Sequence, residues 1–205
     1  HVPLDEPTGV YTLKISNTGS RTRKLRVAPY FQIALAHSPE MAGKLKINRD
    51  AKTGAMYFEN PRNSFREGSC FVAMNAPVET FTNKRGEFFG QGRTFAHPVM
   101  LGSGVPDGGT SDEVAVAAMT TTVEVAAGGE QIITVVLGQG DNRKQAEAVV
   151  QKFQFLEAGD KSLEATREWW LALQSTLELE TSDKEFDAYV KWMKYQALAE
   201  RIWAR

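Results

Sequence analysis

The stretch Glu113–Leu137 decides the fold class: EVAVAAMTTTVEV, then AAGGE, then QIITVVL. Its two apolar arms are rich in Val, Ile and Thr, the residues that fit a pleated, half-buried surface. Between them Ala126-Ala127-Gly128-Gly129-Glu130 carries turn chemistry. Glycine supplies the positive φ that a tight reversal demands. Strand, turn, strand is the expected reading, as a hairpin.

Working outward, the same grammar repeats. Gly9–Ser16 alternates apolar and polar residues, the period of a strand with one covered face. Asn17-Thr18-Gly19-Ser20 turns the chain, and Lys24–Ala28 resumes the alternation. These segments predict a hairpin, and Pro29 marks a strand end because it has no N–H to give the ladder. Lys44–Asn48 and Ala55–Glu59 flank the polar, Gly-ended link Arg49–Gly54, a further hairpin. Cys70–Met74 has no polar side chain but its thiol, as in a strand covered on both faces. Val78–Thr82 is another candidate strand, and Gly102–Thr110 reads as an exposed loop. Many short strands with turns between them predict a mainly β, antiparallel sandwich over residues 1–138.

From residue 139 the period changes. Ala146, Val149, Val150 and Phe153 recur at helical spacing within Asn142–Phe155. Asp160 is placed to cap a second helix with Leu163, Trp170, Leu173 and Leu177 inward. Ser182-Asp183-Lys184-Glu185 reads as a capping box opening a third, with Phe186, Tyr189, Val190, Met193 and Ala197 along one face. Residues 139–205 are therefore expected to be helical. The chain opens on His1 and stops within a helical pattern, so it reads as a piece of a longer protein.

Composition narrows function. With 205 residues, 42% hydrophobic and 24% charged, the chain has enough apolar matter for a sizeable core. Its 24 basic and 25 acidic residues leave a net charge of -1, which argues against nucleic acid as a partner. Apolar runs are too short for a membrane span. The single cysteine, Cys70, rules out an internal disulfide and a cysteine-based zinc site, and fits a reducing, cytoplasmic compartment. The histidines His1, His37 and His97 stand in no metal-ligand spacing, so no metal site is expected. Gly90-Gln91-Gly92 and Gly138-Gln139-Gly140 lack the Lys and Ser/Thr of a phosphate loop. Trp169, Trp170 and Trp192 read as packing rather than as sugar platforms.

Two polar loops stand out, Asn60–Gly68 and Asn83–Thr94. Their Arg forks and amides suit sugar hydroxyls or phosphate oxygens, or else simply solvate a connection. Glu59, Glu67, Glu79 and Glu87 lie in or beside them. Glycoside chemistry needs an acid on the leaving oxygen, but nothing in the sequence singles out one of these four.

Three segments carry a family resemblance. Phe71–Val78, then Lys84–Arg93 (KRGEFFGQGR) with the Pro-terminated loop after it, resemble the N-terminal β domain of glycoside hydrolase family 94. Lys191–Gln196 and Arg201–Arg205 resemble the start of that family's helical barrel. The family holds cellobiose, chitobiose and cellobionic acid phosphorylases and the phosphorylase-like region of cyclic β-1,2-glucan synthases. The resemblance implies an antiparallel supersandwich of galactose mutarotase-like type, linker helices and an (α/α) barrel. It implies inverting phosphorolysis of a β-glucoside or β-glucan, with inorganic phosphate as co-substrate and no other cofactor. The one catalytic acid would be an Asp of the barrel, so this stretch alone is expected to be inactive. A bacterial homodimer is expected, in which Lys84–Thr94 helps close the partner's sugar site. Gln91 and Arg93 would bind substrate there, with Arg66 as a companion. The alternative is a carbohydrate-binding or dimerisation module of a cyclic β-1,2-glucan synthase-related protein. Exposed Phe88, Phe89 and Phe95 would favour glycan binding.

Overall fold

All six residues of Ser69–Met74 are buried, so the strand they form needs cover on both faces. In the computed structural model it gets both. The structure describes residues 1–35, 45–63, 67–92, 94–102, 115–176 and 178–203, with the backbone alone at 156, 198 and 200–203. The strands are β1 Thr8–Ser16, β2 Arg23–Val27, β3 Tyr30–Gln32, β4 Lys46–Arg49, β5 Met56–Glu59, β6 Ser69–Met74, β7 Thr80–Lys84, β8 Ala115–Val125 and β9 Glu130–Gly140. The helices are α1 Arg85–Phe89, α2 Arg143–Phe153, α3 Leu156–Gln174 and α4 Lys184–Trp203, with a short 3₁₀ turn at Val99–Leu101.

One antiparallel sheet runs β1-β9-β6-β5-β4, and a second is built around β8. β2 and β3 lie along β8 in one unbroken register, Arg23 opposite Val125 and Tyr30 opposite Ala118. They are one strand interrupted at Ala28-Pro29, where Pro29 still accepts from the Met119 N–H but has none to return. β7 pairs the other side of β8, with a bulge between Thr82 and Lys84. The two sheets face each other over a core of Met56, Phe58, Cys70, Val72, Met74, Ala117, Met119, Ile133 and Val135. The opposite face of the larger sheet offers Val10, Tyr57, Phe71, Ala73 and Val136, which α2 covers with Ala146, Val149, Val150 and Phe153. Sheet, sheet and helix are therefore three stacked layers, the stacked antiparallel sheets leading into helices that the sequence predicts. Close packing is evident at Gly138, where a Cβ would come within 2.5 Å of Thr8 Oγ1 and 2.6 Å of Phe71 Cζ.

Two expected hairpins are not hairpins. β1 pairs β9, and β2 pairs β8, so the 17–22 link crosses between sheets. The turn at 126–129 likewise joins β8 to β9 without pairing them in a ladder. Turn chemistry fixes a reversal but not which edges meet. Here Asn17 decides it. Its N–H donates to Gly129 O and its carbonyl accepts from Gly128 N–H, each at 2.9 Å. Its side-chain amide donates to Arg21 O, Val125 O and Ala126 O at 2.8–3.0 Å. One asparagine thus binds both sheet-crossing turns together. The hairpin β4–β5 does form, with Asp50 Oδ1 accepting from Lys52 and Thr53 N–H and Gly54 at φ 71°.

The helices begin where the backbone is satisfied. Asn142 caps α2 by accepting from Gln145 N–H at 2.9 Å. α3 starts at Leu156, not at Asp160, because Asp160 already lies within its first two turns. Its expected inner residue Leu163 is 47% exposed. Contact with the sandwich comes instead through Ala158 and through Ser162, whose hydroxyl meets His1 Nε2 at 2.7 Å. The cap of α4 is Asp183 rather than Ser182: its Oδ1 accepts from Glu185 and Phe186 N–H at 3.0 Å. Asp187 then reaches back to Thr181 N–H. Phe186, Tyr189 and Met193 are exposed, while Val190 is half-buried. Leu177, His37, the loop residues 103–114 and the first strand residue Lys44 lie outside the described residues. Among the described residues no helix is long and apolar enough to cross a membrane.

Replacing Asn17 by Ala keeps its backbone bonds to Gly128 and Gly129 but removes the side-chain bonds to Arg21, Val125 and Ala126. The variant is expected to lose about 1–3 kcal/mol in urea unfolding at unchanged m-value. A loss below a few tenths would show that the turns hold without it.

Candidate functional site

The loop from Asn83 to Thr94 is in part a helix. β7 extends to Lys84 and α1 occupies Arg85–Phe89, on the outer face of the smaller sheet. Phe88 and Phe89 turn inward and join Met100, Ala118, Ala28 and Tyr30 in a separate apolar cluster. They are therefore not exposed sugar platforms, which corrects the expectation for both. Their burial anchors the start of the loop, and buried Met100 in the 3₁₀ turn anchors its end. Arg26 Nη1 donates to Gly102 O at 2.8 Å, tying that end to β2.

Between these anchors the chain turns sharply. Gly90 and Gly92 have φ of 73° and 68°, a backbone that other residues rarely adopt. Gln91 stands between them, exposed. Phe95 is 68% exposed, and its ring meets Tyr30 and Phe89 nearly at right angles, with centroids 5.4 and 4.7 Å apart. Thr94 and His97 are also exposed, with His97 N–H bonded to Thr94 O. Of the three expected substrate-binding residues, only Gln91 is placed. Arg93 and Arg66 lie outside the described residues.

The carboxylates divide by their partners. Glu87, in the first turn of α1, accepts from Thr82 Oγ1 and pairs with Lys84 Nζ at 3.0 Å. The Thr82 hydrogen bond, more than the opposing burial, holds its carboxyl below the usual range, with Lys84 adding to it. Glu79 accepts from Thr122 N–H and Oγ1 at 3.1 and 3.0 Å, a bridge from β7's approach to β8. Glu59 is half-buried at the end of β5, and Glu67 is exposed. In the other polar loop, Asn60 donates to Leu35 O at 2.6 Å and accepts from Arg62 N–H, so it serves the turn.

Other polar features are structural. Burial pushes the Cys70 thiol up to about 12, so it stays protonated and unreactive at neutral pH. Arg143 lies 3.4 Å over the Tyr57 ring, and burial raises that phenol to about 12. No group of three His, Cys, Asp or Glu able to hold a metal occurs among the described residues. An open cleft of about 580 Å³ lies between α3 and α4, lined by residues such as Leu171, Gln174, Asp187 and Lys191, on the linker rather than at the loop.

The sequence profile of the glycosyl hydrolase 94 supersandwich domain matches residues 1–155. The chain belongs to that family. The match runs through both sheets and α2. The chain is also 31% identical, over 204 residues, to the cyclic β-(1,2)-glucan synthase NdvB of Rhizobium meliloti (strain 1021). It is 20% identical over 205 residues to cellobionic acid phosphorylase of Neurospora crassa. These alignments cover 97% and 95% of this chain, but only 7% and 26% of the two relatives. The family's sandwich is thus present here with α1, the loop and the linker helices attached.

A pH test follows from Glu87. Its lowered carboxyl contributes stability that is present above pH 4.5, the ordinary value, and is lost as pH falls through the folded-state value. Glu87→Gln is expected to unfold at lower urea than the parent at pH 7, with the gap narrowing as pH falls below 4.5. A gap that does not narrow would show that the charge contributes nothing.

Proposed function

We propose that this chain is the non-catalytic sandwich and helical linker of a family 94 carbohydrate-active protein that carries out inverting phosphorolysis of β-glucosides. In this reading the sandwich supports a catalytic barrel of the same protein. The loop after α1 enters the sugar site, Gln91 first, with Arg93 and Arg66 as further ligands. Inorganic phosphate is the co-substrate, and the partner that receives the loop is a second subunit. The setting is bacterial and cytoplasmic.

The observation that carries the reading is the state of Glu87. It is the acid tied closest to this loop, and Thr82 and Lys84 hold it ionised. A glycosidic leaving oxygen needs a carboxyl kept protonated, which calls for a raised pKa. The other described carboxyls with a displaced pKa, Asp50, Glu130 and Asp187, are also lowered by hydrogen bonds. In this reading the proton donor comes from another part of the protein, while phosphate itself attacks the anomeric carbon.

The higher identity to the glucan synthase favours a cyclic β-1,2-glucan context over a free-standing phosphorylase. There the chain would act as a carbohydrate-binding or dimerisation module.

Full-length protein supplied with phosphate and a β-glucoside is expected to release glucose 1-phosphate, whereas residues 1–205 alone release none. Absence of release from the full-length protein would end the phosphorylase reading. Gln91→Ala in the active protein should raise KM for the acceptor sugar roughly tenfold with a smaller change in kcat. An unchanged KM would remove Gln91 from the site.

A further inference from the structure

Phe95 is held in place and yet left in water. Burying a phenylalanine is among the larger gains an apolar side chain makes, so a ring that stays 68% exposed forgoes most of it. An exposed side chain on a free loop would be unremarkable. This one is fixed. Tyr30 and Phe89 meet it at interplanar angles of 86° and 88°, which sets the ring's plane. Both partners are themselves locked: Tyr30 packs on Phe88 at 4.6 Å, and Phe88 meets Phe89 edge to face. Arg85 lies 5.5 Å over the Phe89 ring from the α1 side. The four aromatics form one cluster of tilted and edge-to-face rings rooted on β3 and α1, and Phe95 is its most exposed member.

Two exposed aromatics of the linker, Trp169 and Tyr195, differ. Trp169 packs on Trp170, and Trp170 on Tyr195, so those rings tie α3 to α4. Phe95 instead shares its turn with exposed Gln91, Thr94 and His97. A ring fixed in orientation, on a turn that also exposes hydrogen-bonding residues, makes a mixed apolar and polar surface. It suits a ligand with one C–H-lined face and a rim of hydroxyls. A β-glucosyl residue has that form: its hydroxyls are equatorial, leaving both ring faces lined by C–H groups that pack on the negative face of an aromatic ring. Gln91, Thr94 and His97 offer donors and acceptors for the rim.

We propose that the Phe95 ring is a stacking platform for one glucosyl unit of a β-glucan or β-glucoside. This rests on the functional reading above for the class of sugar, but not for the chemistry performed on it.

The test is binding of a cello-oligosaccharide and of a β-1,2-linked gluco-oligosaccharide, each at millimolar concentration. It uses the 205-residue chain, followed by calorimetry and by saturation-transfer NMR. The parent chain is expected to bind at least one, with transfer to the C–H protons of a single ring. Phe95→Ala and Phe95→Leu should weaken binding roughly three- to tenfold, and Phe95→Tyr should restore it. Because the ring is largely exposed, all three variants should melt within a few degrees of the parent. The Leu variant separates stacking from simple apolar contact. Equal binding by Phe95→Ala, equal binding by Phe95→Leu, or no binding by the parent would each overturn the platform. Glucose 1-phosphate release is scored separately. Release with binding indifferent to Phe95 sinks the platform and keeps the phosphorylase reading. Binding that depends on Phe95 without any release keeps the platform and sinks that reading.

Discussion

The constraint on which the architecture rests is that the β6–β9 pair has no wet face. All of β6 is buried, and in β9 Ile133, Thr134, Val135 and Val136 are buried in succession, so neighbouring side chains point to opposite apolar surroundings. A sheet with two apolar faces has to be the middle layer of something. The smaller sheet supplies one cover and α2 the other. That requirement puts α2 with the sandwich in packing terms, since Ala146, Val149, Val150 and Phe153 rest on the sheet rather than on the helices that follow.

The loop that the functional reading concerns is built on the outside of this arrangement. It does not share the central core. It has its own small cluster, made by Phe88, Phe89 and Met100 against Ala118. Ala118 belongs to the same strand as Ala117 and Met119, whose side chains enter the central core. One strand, β8, therefore carries the core on one face and the base of the loop on the other. The position of Gln91 and Phe95 is set by a rigid element through short linkages. Sites placed in this way hold their geometry better than sites on long free loops.

Much of the fold was legible because it depends on local pattern. Two-faced burial of Cys70–Met74, the β4–β5 hairpin, the break at Pro29 and the face of α2 all follow from residue type and period. Pairing was not legible where a turn could close either a hairpin or a crossing between sheets. Gly128-Gly129 reads the same in both cases, and the deciding contacts come from Asn17, more than a hundred residues away. The inner faces of α3 and α4 were misread because apolar spacing records what a helix can bury, not what is there to bury it: Leu163, Phe186 and Tyr189 stay exposed. At the candidate site, the KRGEFFGQGR segment reads as a polar loop. Its polar composition concealed a helix whose two phenylalanines point inward. The signal was available, since adjacent aromatics beside a Gly-Gln-Gly turn are well suited to anchor it.

The pairing of β1 with β9 has a consequence for synthesis. Thr8 meets Gly138 and Ser16 meets Glu130, so the earliest described strand of this sandwich is completed by the latest. At about 5–20 residues per second, β1 waits several seconds or longer for the one ladder neighbour it has among the described residues, with Tyr11 and Leu13 uncovered even in the finished fold. Nascent chains of this protein therefore pass through a window in which an unpaired strand edge stays open until the closing strand arrives.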